Sequence, residues 1–160
     1  MTEPVLRVRN LKTHFKLRTG TLKAVDGLSF ELHAGRVLCI VGESGSGKSV
    51  TAQSIMRLIE PPGMIVEGEI TFGHQDLLSM TERQMEGLRG NQIGMIFQDP
   101  MTSLNPVFTI GEQIIETIIT HRGMKRGEAR ERAIELMRLV GIPEPEGRLV
   151  DYPHQFSGGM

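Results

Sequence analysis

Gly42-Glu43-Ser44-Gly45-Ser46-Gly47-Lys48-Ser49 is the stretch on which the reading of the fold turns. It matches G-x-x-x-x-G-K-[S/T] at every fixed position. At ordinary residue usage a chance match in a chain this long is on the order of one per cent. Its flanks agree with it. Val37-Leu38-Cys39-Ile40-Val41 is an unbroken apolar run, as expected of a strand buried on both faces of a parallel sheet. A helix is predicted from Gly47 or Lys48, with Ala52, Ile55, Met56 and Ile59 on one face and Pro61-Pro62 ending it. Strand, glycine-rich loop and helix in that order make a phosphate cradle. The glycines permit conformations in which successive amides point inward, and the helix N-terminus faces the same anion. Lys48 would set an ammonium beside the β- and γ-phosphates, where each unit-charge pair is worth about 4 kcal/mol at about 4 Å and an effective dielectric of about 20. Ser49 offers a hydroxyl to Mg²⁺.

Upstream, Leu6, Val8 and Leu11 alternate with Arg7 and Arg9, which predicts a half-exposed strand. Ala24 to Leu32 reads the same way, with Leu28, Phe30 and Leu32 on one face and a turn at Gly35. Downstream, Glu69 to Phe72 and Ile93 to Phe97 are strand candidates, and Thr81 with Gln84 has capping-box spacing for a short helix. Beyond Pro100 the strand signal disappears. Thr109 and Glu112 form another capping box, followed by a stripe of Ile110, Ile114, Ile115, Ile118 and Ile119. Residues 125 to 140 predict a further helix with Ala129, Ala133, Leu136, Met137 and Val140 inward. The charged run Arg122 to Arg138 reads as a solvated helix face, with Glu128 and Arg132 at pairing distance.

Composition narrows the function classes. The 160 residues, 39% hydrophobic, fit one domain of ordinary size with a sizeable core. With 18 basic and 19 acidic residues the net charge is −1, which argues against a general nucleic-acid binder. Six Phe, one Tyr and no Trp weaken any reading by serial base stacking. The single cysteine, Cys39, excludes an intrachain disulfide, fits a reducing compartment, and is expected to be a buried structural thiol. The N-terminus lacks a basic-then-apolar signal pattern, and no stretch approaches the roughly 20 apolar residues of a membrane span. A soluble cytosolic protein is expected, attached to a membrane only through a partner. Histidines 14, 33, 74 and 121 show no metal-ligand spacing.

A phosphate loop alone fits kinases, GTPases, recombinase-like motors and transport ATPases, so further segments decide. Ile96-Phe97-Gln98-Asp99-Pro100-Met101-Thr102-Ser103-Leu104-Asn105-Pro106 follows the loop, and Tyr152-Pro153-His154-Gln155-Phe156-Ser157-Gly158-Gly159 lies near the end. Phe15 stands upstream. With these segments in this order, the sequence resembles the nucleotide-binding subunits of ABC transporters over essentially its whole length. It is most similar in phrase to the oligopeptide/dipeptide importer type, which also includes nickel and glutathione importers.

The resemblance implies an α/β P-loop NTPase fold, a RecA-like core with an antiparallel β subdomain, plus an α-helical subdomain. It implies an ATP-binding part over 1–99 and a helical part over 100–160. The implied nucleotide contacts are Phe15 stacked on adenine and Gly42, Glu43, Ser44, Gly45, Ser46, Gly47, Lys48 and Ser49 around the phosphates, Glu43 having no catalytic part. Ser49 and Gln98 would serve Mg²⁺, Gln98 also sensing the attacking water and the membrane subunits. Ser157, Gly158 and Gly159 match the signature loop, which would touch the γ-phosphate of ATP held by an opposing cassette. The implied cofactors are ATP and Mg²⁺. The implied partners are a second ATP-binding subunit, identical or related, permease subunits and, indirectly, an extracytoplasmic solute-binding protein, with no nucleic acid. The implied place is the cytoplasmic face of the inner membrane, held peripherally.

The resemblance also places Met160 inside the signature loop. The acidic metal-binding strand, catalytic glutamate, dimer-contact loop and switch histidine are then expected further on, and none can be assigned here; His154 precedes the signature loop and is not the switch. The expectation is an incomplete cassette that binds ATP with negligible turnover. Two rivals stay open at this point: a soluble ABC-type ATPase of DNA repair or chromosome organisation, and a non-catalytic interaction module. Against the first stand the short gap between motifs, the near-neutral charge and the lack of a zinc-ligand cluster.

Overall fold

The computed structural model describes residues 3–99 and 103–160. The chain divides into two compact units, Met1–Glu86 and Gly87–Met160.

In the first unit, β1 (Leu6–Leu17), β2 (Gly20–Leu32), β3 (Gly63–Phe72) and β4 (Gln75–Asp76) form one antiparallel sheet in the order β2-β1-β3-β4. Helix α1 (Lys48–Ile55) packs on it, and α2 (Glu82–Leu88) follows. The strands form as expected: Val8 and Leu11 are both buried although three residues apart, because the register of β1 shifts between them, and Leu28, Phe30 and Leu32 share the less exposed face of β2. Gly35 adopts a positive φ in the turn after β2. The β3 strand is longer than its apolar signal, because pairing with β1 from Phe15↔Gly63 to Leu6↔Phe72 carries the polar residues along. Thr81 caps α2, its amide donating to Gln84 Oε1 at 2.8 Å.

Helix α1 starts at Lys48 as the sequence predicts but ends at Ile55, short of the predicted stop at Pro61-Pro62. Arg57 takes the left-handed conformation, φ 51°. Its amide donates to Ser54 O at 3.0 Å, and the Leu58 amide donates to Gln53 O at 2.8 Å. This is the Schellman closure, ordinarily built on glycine. The Arg57 guanidinium steadies it by donating to the Leu77 and Met80 carbonyls. The helix also turns a different face inward from the one expected. Met56 is buried, but its buried companions are Thr51 and Ser54 rather than Ala52, Ile55 and Ile59. Burial of hydroxyls is tolerable when they are hydrogen-bonded. Thr51 Oγ1 donates to Gly47 O at 3.0 Å, Ser54 Oγ donates to Val50 O at 2.7 Å, and Thr13 Oγ1 on β1 lies 2.8 Å from Ser54 Oγ.

Two expected strands are corrected. Val37–Val41 and Ile93–Phe97 belong to no ladder among the described residues. Val37 and Val41 are 91% exposed and Ile96 is 94% exposed. Cys39, expected to be buried, is exposed with them. A parallel strand receives its hydrogen bonds from segments remote in sequence. Among the described residues the parallel pairing at this end is a single bridge, Arg89 with Ile93. An apolar run without neighbours stays open.

The second unit is helical: α3 (Ile110–Arg122), α4 (Arg126–Leu139), the short α5 (Pro145–Arg148) and a 3₁₀ turn at Pro153–Gln155. The capping box at Thr109 is formed, and Gly123 closes α3 in the left-handed conformation. Ile110, Ile115 and Ile118 are buried against Ala129, Ala133, Ile134, Met137 and Leu149, with Ile114, Ile119 and Leu136 partly covered. Val140, expected inward, is 73% exposed because it is the C-cap of α4 and has left the helical path; Ile134 points inward instead. Arg132 pairs with Glu135 rather than Glu128. Glu128 accepts the Lys125 amide at 3.2 Å in the α4 cap.

Candidate nucleotide-binding site

The cradle is assembled by one side chain and two glycines. Lys48, at the first turn of α1, folds back so that Nζ donates to Gly42 O and Glu43 O, each at 2.7 Å, with Ser46 Oγ at 3.3 Å. The loop is further closed by the Ser46 amide on Glu43 O at 3.2 Å. Gly45 and Gly47 have φ of 80° and 88°, a region that costs a non-glycine residue about 1 kcal/mol or more. Gly47 is required a second time: a Cβ there would overlap the Ala24 carbonyl oxygen of β2. The helix start is therefore seated on the sheet backbone, while Ser54, two turns on, is locked to Thr13 of β1. The first-turn amides of α1 have no carbonyl to reach within the helix. Ser44, Gly45, Ser46 and Ser49 are exposed around them, Lys48 is half-buried and Gly47 buried. Glu43 contributes its carbonyl oxygen to Lys48, and the residue is exposed.

Phe15 is half-buried near the end of β1, opposite Leu22 of β2 on one side and Gly63 of β3 on the other. It belongs to the same unit as the cradle. Gln98 is exposed in an irregular segment of the second unit, and its neighbours Pro100, Met101 and Thr102 lie outside the described residues. Ser157, Gly158 and Gly159 are exposed and end in a turn in which the Met160 amide donates to Ser157 O at 3.0 Å. Phe156, just before them, packs against the helical core. Gly158 and Gly159 border an apolar cavity of about 750 Å³ lined also by Ile114, Ile118, Leu136 and Met137.

A family model described as ABC transporter matches residues 25–160. The chain belongs to the ABC transporter family. It is 52% identical over 157 residues to the oligopeptide transport ATP-binding protein OppD of Bacillus subtilis (strain 168), covering 98% of this chain and 44% of that protein. It is 50% identical over 159 residues to the dipeptide transport ATP-binding protein DppD of the same organism, covering 99% and 48%. The chain thus spans about half the length of the curated relatives it matches. Among solved structures, the ATP-binding cassette MJ0796, in a dimeric post-hydrolysis state bound to ADP and Pi, superposes with a TM-score of 0.82 at 26% identity. That match covers 96% of this chain and 63% of the other. The fold is that of an ABC cassette, in part: a P-loop helix against an antiparallel sheet, and a helical unit.

Four positions escaped sequence reading. Thr13 and Ser54 stand beside other polar residues, and nothing in the sequence marks them as a buried pair. Gln113 ties the segment before α3, its Nε2 donating to Asn105 O at 3.0 Å and Phe108 O at 3.1 Å while its Oε1 accepts the Asn105 amide at 2.9 Å. The Asn-Pro turn at 105–106 was the available hint. Gly63 carried no signal of its own.

Proposed function

We propose that this ABC transporter chain forms the nucleotide-holding part of an importer subunit that couples ATP binding and hydrolysis to uptake of peptides or related small solutes. The observation that carries the reading is Lys48, held by the Gly42 and Glu43 carbonyls at the N-terminus of a helix seated on the sheet. A lysine so held stands at the mouth of the loop. The longest of its three contacts, to Ser46 Oγ at 3.3 Å, is the one a phosphate oxygen would take over. First-turn amides that no carbonyl of the helix reaches, together with one ammonium, suit a triphosphate. Ser49, exposed on the first turn of α1, suits Mg²⁺; the place of Gln98 beside the metal rests on the family resemblance alone. When bound, Mg²⁺ would supply neutralisation of the phosphate charge. Phe15 stacks on the adenine.

Ser157, Gly158 and Gly159 face the γ-phosphate held by a second cassette, so that ATP joins the two head to tail. Permease subunits on the cytoplasmic face of the membrane, fed by a solute-binding protein, complete the assembly. The relatives are transport proteins by name, which favours this reading over an ATPase of DNA repair. Hydrolysis needs a group that orients or deprotonates water as well as a held metal. We expect these 160 residues by themselves to bind ATP with negligible phosphate release. The test is titration with a fluorescent ATP analogue. Lys48→Ala is expected to remove most of the affinity, and unchanged binding by that variant would overturn the assignment of the cradle.

A further inference from the structure

Two glycines of β3 leave no room for a side chain against β1: Gly68 meets the Leu11 backbone, whereas Gly63 meets the Phe15 ring. Phe15 and Gly63 are register partners across β1 and β3. A Cβ built on Gly63 would stand 2.5 Å from Phe15 Cε1, 2.9 Å from Phe15 Cδ1 and 2.8 Å from Ile59 Cγ2. The phenyl edge therefore occupies the space that a side chain at 63 would fill. Gly63 is not among the residues with positive φ, so its backbone accepts any L-residue and the demand for glycine is steric. On the other side of Phe15 the ladder partner is Leu22, which is 54% exposed. The ring is thus pressed toward β3 by what is missing there, and the half-buried ring keeps part of its surface to solvent. An aromatic covering a cross-strand glycine stabilises a sheet in any protein. A ring held in one orientation with surface to spare can do more.

We propose that Gly63 is a positioning residue for the nucleotide: by leaving its side of the ladder bare, it fixes the Phe15 ring as the platform on which the adenine stacks. The inference rests on the reading of Phe15 given above. A methyl at 63 pushes the ring off that platform without touching the phosphate cradle, which is built by Lys48, Gly42, Glu43 and the Gly47 seat. The loss falls on the base and spares the phosphates. Removal of one aromatic–base stack is worth about 1–3 kcal/mol, or about tenfold and upward in affinity.

The experiment measures calorimetric affinities of the full chain for ATP and for inorganic triphosphate, both with Mg²⁺, in the wild type, Gly63→Ala, Phe15→Ala and the double variant, with circular dichroism to verify the fold. The expected result is that Gly63→Ala weakens ATP about tenfold and leaves triphosphate within about twofold. Phe15→Ala is expected to do the same, and the double variant to bind ATP no more weakly than Phe15→Ala alone. If Gly63→Ala weakens both ligands equally, Gly63 serves the sheet and the inference is overturned. If Phe15→Ala leaves the ratio of the two affinities unchanged, the adenine platform itself is overturned, while ATP binding by the cradle stands. Should Gly63→Ala fail to fold, Phe15→Ala/Ile59→Ala is compared with the same pair carrying Gly63→Ala, since both side chains that the new methyl meets are then removed. Equal affinity of those two for ATP supports the inference, and a further loss on adding Gly63→Ala overturns it.

Discussion

Gly45 and Gly47 stand two residues apart in the same loop, both with positive φ, yet they answer to different constraints. Around Gly45 there is open space; behind Gly47 lies the Ala24 carbonyl. Gly45→Ala should therefore cost only the left-handed backbone penalty, about 1 kcal/mol. Gly47→Ala adds a clash with backbone that cannot turn aside, and overpacking of that kind costs about 1–3 kcal/mol more. Urea unfolding of the two variants tests this: comparable losses would mean that the seat of α1 on β2 is looser than the geometry makes it. Gly42 is a third case. A Cβ there would meet only the Ser46 side chain, its Oγ at 2.5 Å and its Cβ at 3.2 Å; the hydroxyl can rotate away and the Cβ contact asks for a shift of a few tenths of an ångström.

At the scale of elements, α1 is held to the sheet at both ends, by Gly47 on β2 and by the buried Thr13–Ser54 hydroxyl pair on β1. Thr13→Val leaves Ser54 with its bond to Val50 O, so the expected loss is about 1 kcal/mol, and a double-mutant cycle with Ser54→Ala should show coupling of similar size. In the helical unit, the carboxylate of Glu112 accepts from the Thr109 amide and hydroxyl, each at 2.9 Å. The backbone bond and then the hydroxyl bond hold its pKa below the usual 4.5, with a smaller contribution from Arg126. A carboxyl depressed in the folded state stabilises fully above its unfolded pKa, and the benefit fades as pH falls through the folded value. Melting temperatures of wild type and Glu112→Gln should differ near neutral pH and converge as pH drops below about 4.5. A difference that persists at low pH would assign the effect to shape rather than charge. These elements were also the legible ones. Caps at Thr81 and Thr109, alternation in β1 and β2, and the start of α1 are written within a few residues of where they act. The early end of α1 was not, because Arg57 takes a glycine's conformation only with the Leu77 and Met80 carbonyls to hold it. The start of α1 at Lys48 was legible to within a residue, whereas the Phe15–Gly63 and Thr13–Ser54 contacts join segments over forty residues apart and needed the fold to appear.

At the scale of the whole molecule, each unit carries an apolar run that its own hydrogen bonding leaves open, Val37–Val41 in the first and Ile93–Phe97 in the second. An unbroken apolar run marked the first as a strand buried on both faces and the second was a strand candidate, but a pattern of that kind states what a segment needs and not whether the neighbours are at hand. Val37 and Ile96, 91% and 94% exposed, contribute no burial to the folded chain. Val37→Lys and Ile96→Lys should each change its stability by no more than about 0.5 kcal/mol, as surface substitutions do. Open apolar edges favour pairing between copies. The wild-type chain should accordingly associate as its concentration is raised and bind a hydrophobic dye, and both lysine variants should weaken these effects. Sedimentation velocity across a concentration series gives the first readout and dye fluorescence the second. The informative contrary outcome is a lysine variant that stays monomeric but loses about 2 kcal/mol or more, the mark of a buried side chain. That result would mean the run finds strand neighbours in solution, and the parallel sheet expected from the sequence would then form within these 160 residues after all.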